Sequence, residues 1–239
     1  MNFYKIKKIN HKNQELKFHI INYLTYYRAS TFSDKEPETL EWIESFNENT
    51  IFFDIGSNIG LYSIYAAKLK KSKVYCFEPS VFNLELLVQN IHLNNVNDNT
   101  VILPLALNDK NSIEAFNLSN LSKGGALSSF GKNYNQYGEK INIKNYYYTV
   151  GMKLDNLVKY LNIDFPNYIK IDVDGIEHLI LNGMTDILEK TQSILIEITE
   201  SFEEQSKICK EILTSKGFVQ KKIKNDSNLL TQNQIWNRY

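Results

Sequence analysis

The feature that most constrains the fold of this chain is an apolar strand that runs directly into a glycine-containing turn. Residues 51–53 are Ile-Phe-Phe, and residues 54–60 read Asp-Ile-Gly-Ser-Asn-Ile-Gly. This pattern predicts a buried strand, a tight turn and the start of a helix, because glycine lets the backbone approach a ligand closely. A second apolar strand ends at Glu78, about 20 residues further on, where a nucleotide-binding unit places the carboxylate that binds ribose hydroxyls. The two segments together predict a nucleoside-binding βαβ unit.

The charge of Asp54 indicates which kind of nucleoside would bind. In a dinucleotide site the turn and the helix N-terminus hold a pyrophosphate, and a carboxylate at the strand end would repel that anion. Asp54 therefore favours a cationic ligand. S-adenosylmethionine carries a sulfonium and an ammonium group and still offers a ribose diol to Glu78. The alternative is that Asp54 only caps the turn, and that Gly56 and Gly60 only let a helix pack on a strand.

Apolar runs alternate with helical patterns along the rest of the chain. Strands without strict alternation are typical of a sheet covered on both faces, and strands that alternate with helices predict a parallel sheet. The predicted fold class is therefore doubly wound α/β. The predicted strands are 51–54, 74–78, 101–105, 168–173 and 193–198. The first predicted helix follows the glycine turn and ends near residue 69, and the later helices span 81–94, 176–189 and 202–216. An antiparallel pair is predicted for 218–223 and 234–239, joined through the turn-rich Asn225-Asp226-Ser227-Asn228.

The length of 239 residues fits one α/β domain with an N-terminal extension. We expect residues 1–50 to form the extension, with a strand at 17–22, an aromatic stretch at 23–27 and a helix that begins near Pro37. We expect residues 51–239 to form the main domain. Its segment 108–150 breaks the strand and helix rhythm, which is typical of a lid or an acceptor-binding insertion. An ordinary hairpin that extends the sheet is the alternative.

Composition excludes several classes of protein. The 27 basic and 27 acidic side chains balance, so no broad positive field would attract nucleic acid. The basic cluster Lys221-Lys222-Lys224 is interpreted as a solvated edge. Cys76 and Cys209 suggest neither a disulfide framework nor a zinc site. The sequence has no stretch long enough to span a membrane and no signal-peptide core, so we expect a cytoplasmic protein.

The second dense motif is Lys-Ile-Asp-Val-Asp-Gly-Ile-Glu-His at residues 170–178. Asp172 and Asp174 follow a predicted strand, and ligands of open parallel sheets bind beyond the carboxyl ends of the strands. A carboxylate in an apolar strand needs a partner, and Lys170 lies on the same strand face as Asp172. Asp174 has a structural alternative, because it could cap the next helix while Glu177 reaches back to it.

Two further residues near this motif are candidates for catalysis. His178 has a side chain of the right pKa range for a general base, but it could equally be an exposed histidine in a first helical turn. Glu197 repeats the argument of the buried acid on the neighbouring strand. Carboxylates at adjacent strand ends are able to hold Mg²⁺. The absence of His or Cys companions leaves a metal not indicated by the sequence.

These motifs and the order of elements resemble the FkbM family of S-adenosylmethionine-dependent methyltransferases over residues 36–218. The resemblance is carried by residues 54–60, Phe77-Glu78-Pro79-Ser80, Leu154-Asp155-Asn156-Leu157 and 170–177. The family pattern has Glu at the position of Asp174 and Ala at that of Ile176. The resemblance implies a Rossmann-like class I methyltransferase fold, with a mostly parallel seven-stranded sheet, an antiparallel C-terminal hairpin and a β-rich insertion. It also implies O-methylation of hydroxyl groups, often of sugars or natural products.

Motif positions and the resemblance together give the expected site. The glycine turn and Asp54 are expected to hold the methionine part of the cofactor, and Glu78 the ribose. Asp172, helped by Lys170 or His178, is expected to orient or deprotonate the acceptor hydroxyl. The expected cofactor-binding residues are Asp54, Gly56, Ser57, Asn58, Gly60, Glu78, Pro79, Ala106 and Asp172, and the expected catalytic residues are Asp172, Lys170, Glu177, His178 and Glu197.

The expected function is therefore S-adenosylmethionine-dependent O-methylation of a sugar or surface glycan. Methylation of a secondary metabolite is the first alternative. More distant alternatives are an NAD-dependent oxidoreductase and a non-catalytic nucleoside-binding regulator. Asn58 stands where a dinucleotide site has its middle glycine, which argues against NAD. Arg28 is a candidate for binding an anionic group of the acceptor, and the tyrosines of the insertion, Tyr134, Tyr137 and 146–148, for stacking on sugar rings.

Overall fold

The computed structural model describes residues 5–222 and 232–239. Its strands are β1 (Lys5–His11), β2 (Gln14–Ile20), β3 (Ile51–Ile55), β4 (Lys73–Phe77), β5 (Thr100–Leu103), β6 (Ala106–Leu107), β7 (Ser112–Leu118), β8 (Ser129–Phe130), β9 (Asn145–Met152), β10 (Tyr168–Ile171), β11 (Ser193–Glu197), β12 (Val219–Lys221) and β13 (Asn233–Asn237). Its α-helices are α1 (Tyr23–Ser30), α2 (Pro37–Glu44), α3 (Leu61–Lys70), α4 (Val81–Leu93), α5 (Leu154–Leu161), α6 (Glu177–Asn182), α7 (Thr185–Leu188) and α8 (Glu203–Ser215).

The main sheet of the described residues has seven strands in the order β12-β13-β11-β10-β3-β4-β5. Strands β11, β10, β3, β4 and β5 are parallel, and β13 runs antiparallel to both β11 and β12. The central strand β10 is buried along its whole length, which is why its sequence is apolar on both faces except at Lys170. The predicted α/β fold, with its mostly parallel sheet and antiparallel C-terminal pair, is confirmed.

The insertion forms a small sheet of its own, in the order β6-β9-β7-β8 within the described residues. Strands β7 and β9 pair antiparallel from Ser112 opposite Gly151 to Leu118 opposite Asn145. The insertion is therefore rich in β-structure, as expected, but it does not extend the main sheet as the hairpin alternative supposed. The chain between β7 and β8 leaves this small sheet and passes over the carboxyl ends of the main strands.

The N-terminal segment contains more regular structure than the sequence predicted. Strands β1 and β2 form an antiparallel hairpin, of which only the second strand was expected. The aromatic stretch is helix α1, whose first turn is closed by a capping box between Asn22 and Thr25. Helix α2 begins at Pro37, as predicted. The side chains of Leu16 and Phe18 are fully buried in the same core cluster as those of α3 and α4.

Two helices differ from the prediction near the C-terminal half of the sheet. The predicted helix over 176–189 is divided into α6 and α7 at Gly183. A Cβ at Gly183 would lie 2.2 Å from the carbonyl oxygen of Asn108, so the chain needs a glycine where it passes the start of the insertion. Helix α5 was not assigned from the sequence, although its apolar side chains lie on one face. The predicted turn at 225–228 and Lys224 lie outside the described residues.

Both cysteines are free and fully buried, Cys76 in β4 and Cys209 in α8. Burial raises the pKa of the Cys76 thiol to about 12, and burial also raises the pKa of Cys209. Among the described helices, none combines the length and the apolar character needed to cross a membrane.

Candidate active site

A cavity of about 470 Å³ opens at the carboxyl ends of β3, β10 and β11. The turn after β3 contributes Gly56, Ser57 and Asn58 to its wall. The acids of the second motif lie on the same wall, since parallel strands all end at this edge. The far side of the cavity comes from α1, from residues 31–36 and from the insertion. The acidic and basic lining residues are Arg28, Lys35, Glu36, Lys170, Asp172, Asp174 and Glu197.

Two smaller cavities lie on the other side of Gly56. One, of about 70 Å³, is lined by Glu78, Pro79 and Asn83 and also touches Asp172. The other, of about 30 Å³, is apolar and lies between Phe77, Ala106 and neighbouring side chains of the insertion. Gly56 lines all three cavities. The predicted cofactor residues Pro79 and Ala106 thus line the small cavities on this side of the turn.

The turn at 56–60 is held tightly between neighbouring elements. Gly56 has φ +86°, and a Cβ there would lie 2.0 Å from the carbonyl oxygen of Asp172. Gly60 has φ +89°, and a Cβ there would lie 2.7 Å from Cδ1 of Leu87 in α4. Gly60 therefore lets the start of α3 pack closely against α4. Gly56 instead lets the β3 turn pass directly beside the end of β10.

Glu78 lies where the sequence placed it, at the end of β4. Its carboxylate accepts hydrogen bonds from the backbone N–H of Asn58 at 2.8 Å and of Ser80 at 2.7 Å. Burial raises the pKa of Glu78 to about 7, although these N–H donors act in the opposite direction. Each carboxylate oxygen keeps a lone pair for a ligand.

Asp54 lies below the turn and not in the wall of any of these cavities. Side chains alternate along β3, so Phe53 and Ile55 face one side of the sheet while Asp54 faces α3. Its Oδ2 accepts a hydrogen bond from Ser63, and its Oδ1 has no hydrogen-bond partner among the described residues. Burial raises its pKa, whereas the ammonium group of Lys170 acts to lower it. Direct contact with a ligand, as the sequence predicted, is not what this position provides.

Lys170 and Asp172 form an ion pair of 2.6 Å between Nζ and Oδ2. Lys170 is 1% exposed and its Nζ also lies 5.2 Å from the centre of the Tyr62 ring. Burial acts to lower the pKa of Lys170, but the carboxylates of Asp172, Asp54 and Glu36 outweigh it and raise that pKa. Burial likewise opposes ionisation of Asp172, and Lys170 overcomes it so that the pKa of Asp172 is lowered. The pair is therefore charged at neutral pH, with the carboxylate facing the cavity.

Asp172, Asp174 and Glu197 bring three carboxyl groups together, with one oxygen of each within 4.8 Å of the others. Burial and the charge of Asp172 raise the pKa of Asp174 to about 6 and that of Glu197 to about 10. Glu197 therefore carries a proton at neutral pH. Such a group of oxygens is of the type that hard cations prefer, although its ligand chemistry alone does not establish a metal.

Asp174 does not cap the following helix. It has φ +64°, and its Oδ2 accepts a hydrogen bond from the backbone N–H of Leu127 at 2.6 Å. Glu177 does reach back, as the capping alternative proposed, and accepts hydrogen bonds from the N–H groups of Val173 and Gly175. Its other partner is the side chain of Gln205. Glu177 thus holds the 173–175 loop from below and lies outside the large cavity.

His178 also lies outside the large cavity. Its side chain is buried against Phe202, with the ring centres 6.1 Å apart, and burial lowers its pKa. Helix α6 turns His178 away from Asp172 because the side chains of consecutive residues point in different directions around a helix. The geometry brings Asp172, Lys170 and Glu197 together and leaves Glu177 and His178 behind them.

A loop of the insertion, residues 122–128, lies across the site and is called the strap. Asn83 accepts a hydrogen bond from the N–H of Gly124 at 2.9 Å, and Asn58 donates one to the carbonyl of Gly125 at 2.8 Å. From the N-terminal side, Arg28 donates to the carbonyl of Gly124 at 2.7 Å. Helix α1 and the strap together form the cover of the cavity.

Sequence reasoning did not identify Asn83 as a site residue. The only signal for it was its position one helical turn after Pro79, where its side chain returns to the end of β4. A polar residue at that spacing is common at the start of any helix. Its role is visible only through its bonds to the strap, which is distant in sequence.

Residues 54–219 match the family model described as the methyltransferase FkbM domain. The hexuronic acid methyltransferase AglP of Haloferax volcanii is 26% identical over 157 residues, which cover 65% of this chain and 59% of AglP. Among solved structures, M. jannaschii TYW2 in complex with AdoMet has 15% identity and a TM-score of 0.48, covering 98% of this chain and 87% of that one.

A precorrin-6y C5,15-methyltransferase from Geobacter metallireducens has 11% identity and a TM-score of 0.46, covering 84% of each chain. The match to the family model extends over most of the chain and includes both predicted motifs. This protein therefore belongs to the FkbM methyltransferase family.

Proposed function

We propose that this protein transfers a methyl group from S-adenosylmethionine to a hydroxyl group of a sugar. The observation that carries the proposal is the position of Gly56 between the large cavity and the small cavity of about 70 Å³, which are lined by different sets of acidic residues. Glu78 lines only the small cavity on one side, Glu197 lines only the large cavity on the other, and Asp172 lines both where they meet. A ligand that spans Gly56 would place its ribose at Glu78 and its reacting end near Asp172.

The residues around Gly56 fit this cofactor. Glu78 offers free lone pairs to a ribose diol. The side-chain oxygen of Asn58 is buried without a hydrogen-bond partner among the described residues, and Asn58 lines both cavities. An unpartnered buried acceptor is costly, so a donor such as the methionine ammonium would remove a penalty. Pro79 and Ala106 would hold the base, and Gly56, Ser57 and Asn58 the methionine part.

The acceptor side follows from the charge of Asp172. When bound, S-adenosylmethionine supplies an electrophilic methyl group on a sulfonium that leaves as a neutral thioether. Asp172 is kept ionised by Lys170, so it accepts a hydrogen bond from the acceptor hydroxyl and orients its oxygen. As that oxygen gains the methyl group its proton becomes acidic and passes to Asp172. A well-placed base of this kind contributes about 10²–10⁴-fold to the rate.

Glu197 supports this division of labour. Because it holds its proton at neutral pH, it adds no further negative charge beside the ionised Asp172. Tyr27 of α1 and Tyr137 of the insertion line the outer part of the cavity. Their rings offer flat faces with polar edges, which suit a sugar. The name of AglP supports a sugar acceptor of the same general kind.

Ligand binding provides the first test of this function. We expect S-adenosylhomocysteine to raise the melting temperature and to bind in calorimetry, and NAD to do neither. Tritiated methyl groups from S-adenosylmethionine should then appear in one member of a panel of hexoses, deoxyhexoses and hexuronic acids.

The product distinguishes a hydroxyl acceptor from a carboxyl acceptor. A methyl ether survives mild alkali, whereas a methyl ester releases its label as methanol. Alkali-stable label supports the proposal. Binding of NAD without S-adenosylhomocysteine, or label released by alkali, contradicts it.

A further inference from the structure

We infer that Arg28, in helix α1, binds the carboxylate of the methionine part of S-adenosylmethionine. Arg28 lies outside residues 54–219, the segment that matches the family model. The inference rests on the proposed use of this cofactor and adds a binding residue to it. It also moves the N-terminal segment from the acceptor side, where the sequence placed Arg28, to the cofactor side.

The position of Arg28 is fixed over the glycine turn. Its Nε donates a hydrogen bond of 2.7 Å to the carbonyl oxygen of Gly124, in the strap. A Cβ built on Gly124 would lie 3.0 Å from Cγ2 of Thr25 and 3.9 Å from Cγ2 of Ile59. Gly124 is therefore packed between α1 and the turn at 56–60. Arg28, anchored to Gly124, stands beside the residues proposed to hold the methionine part.

The strap also connects Arg28 to the ribose carboxylate. The carbonyl of Gly125 accepts a hydrogen bond from the side chain of Asn58, whose own N–H is bonded to Glu78. The Arg28 anchor and the start of this chain of bonds are consecutive residues of the strap. A ligand group held by Arg28 thus lies in the large cavity, next to the turn that is proposed to hold the methionine part.

Of the three basic residues that line the large cavity, Arg28 is the one without an ion pair in the part of the chain that the structure describes. Lys35 pairs with Glu36 at 2.7 Å and Lys170 pairs with Asp172 at 2.6 Å. The bond from Arg28 uses only Nε, and its two terminal nitrogens have no hydrogen-bond partner among the described residues. A guanidinium with free terminal nitrogens can bind a carboxylate through both of its oxygens.

The charge of the site requires such a cation. The wall near the glycine turn is otherwise acidic, with Glu78, Asp172 and Asp174 all lining the cavities around Gly56. These acids suit a sulfonium and an ammonium group but would repel the carboxylate of the same ligand. Arg28 offsets that repulsion and fixes which end of the amino acid points toward α1.

Two ligands that differ only beyond the thioether test this assignment. S-adenosylhomocysteine carries the amino acid, and 5′-methylthioadenosine lacks it. Calorimetry on the full chain should show that Arg28→Gln lowers the affinity for S-adenosylhomocysteine by at least about tenfold. The affinity for methylthioadenosine should change by less than about twofold. Lys35→Gln removes a neighbouring cation that is already paired with Glu36. It should change the affinity for either ligand by no more than about twofold.

The outcomes separate the inference from the proposed function. Equal losses for both ligands would mean that Arg28 only holds the strap, and an unchanged S-adenosylhomocysteine affinity would assign Arg28 elsewhere; either result overturns the inference. If the Arg28→Gln protein does not fold, Arg28→Lys is measured instead. If Arg28→Lys keeps the wild-type preference for S-adenosylhomocysteine over methylthioadenosine, the charge of Arg28 binds the carboxylate. Loss of that preference contradicts the inference. Wild-type protein that binds neither ligand overturns the proposed function itself.

Discussion

The two sides of the large cavity are held in place by different kinds of interaction. The floor, formed by the ends of β3, β10 and β11, is fixed by the backbone ladder of the main sheet and by close contacts such as Gly56 against Asp172. In the cover, helix α1 is anchored by buried side chains such as Ala29, whereas the strap is held largely by single hydrogen bonds between side chains and backbone groups. The floor is thus suited to hold geometry, and the cover is suited to open for ligands and close again.

The largest effect should come from the floor, at the group that faces the acceptor. Asp172→Asn removes the proton acceptor but keeps the shape, so methyl transfer should fall by about 10²–10⁴-fold. The affinity for S-adenosylhomocysteine should stay within about threefold, because Glu78 and the glycine turn are unchanged. Turnover with the acceptor found in the sugar panel, together with calorimetry, measures both. Loss of cofactor binding in this variant would show that the two functions of the floor are not separate.

The rigidity of the floor can be tested at Gly56. A methyl group there would lie 2.0 Å from a backbone oxygen, so Gly56→Ala should lower the free energy of unfolding by about 3 kcal/mol or more. Gly217→Ala is the matched control, since Gly217 has φ +80° but its nearest neighbour would be 3.8 Å away. It should cost about 1 kcal/mol. Equal costs in urea denaturation would mean that the backbone angle, and not the contact, sets the requirement for glycine.

The nucleoside end of the floor should respond differently from the cover. Glu78→Ala removes charge-assisted hydrogen bonds, so S-adenosylhomocysteine and methylthioadenosine should both bind about 10- to 100-fold more weakly. This shared loss contrasts with the selective loss expected for Arg28→Gln. Calorimetry with the two ligands makes the comparison. A loss confined to S-adenosylhomocysteine would move Glu78 to the amino acid end.

The protonated acid in the floor should make stability depend on pH. Folded Glu197 keeps its proton up to a pKa of about 10, while in the unfolded chain it loses the proton near 4.5. Between pH 4.5 and about 10 the folded protein must hold a proton that the unfolded chain has released. The free energy of unfolding therefore falls as pH rises through this range. In Glu197→Gln the side-chain amide is neutral at every pH, so the folded protein has no proton to hold at this position. Its melting temperature should equal that of the wild type near pH 5 and exceed it by about 3 °C or more near pH 9. A difference that does not change with pH would contradict this.

The smallest effect should come from the cover. Asn83→Ala removes two bonds to the strap, from the N–H of Gly124 and to the carbonyl of Gly125. Hydrogen exchange of the strap amides should accelerate by about 5- to 10-fold, while exchange in β3 and β10 stays unchanged. Val88→Ala, at an exposed position of the same helix, should leave both rates unchanged. Faster exchange throughout the sheet would show that the cover and the floor open as one unit.

The same contrast explains what the sequence could predict. The glycine turn, Glu78 and the Lys170 and Asp172 pair follow from local patterns, because strand alternation and turn chemistry act over a few residues. The strap contacts of Asn83 and the division of α6 from α7 depend on residues far away in sequence, so no local pattern predicts them. Asp54 was expected to contact the cofactor, but its burial beneath the turn depends on how α3 packs over β3, which no local pattern specifies.

The two cysteines have a practical consequence. A thiol that is fully enclosed and holds its proton far above neutral pH does not react with iodoacetamide while the protein stays folded. Alkylation must then wait for an opening event, and the two sites report different ones, since Cys76 lies in a central strand and Cys209 in an outer helix. Mass spectrometry of timed alkylation could therefore follow the loosening of each layer of this enzyme without any added label.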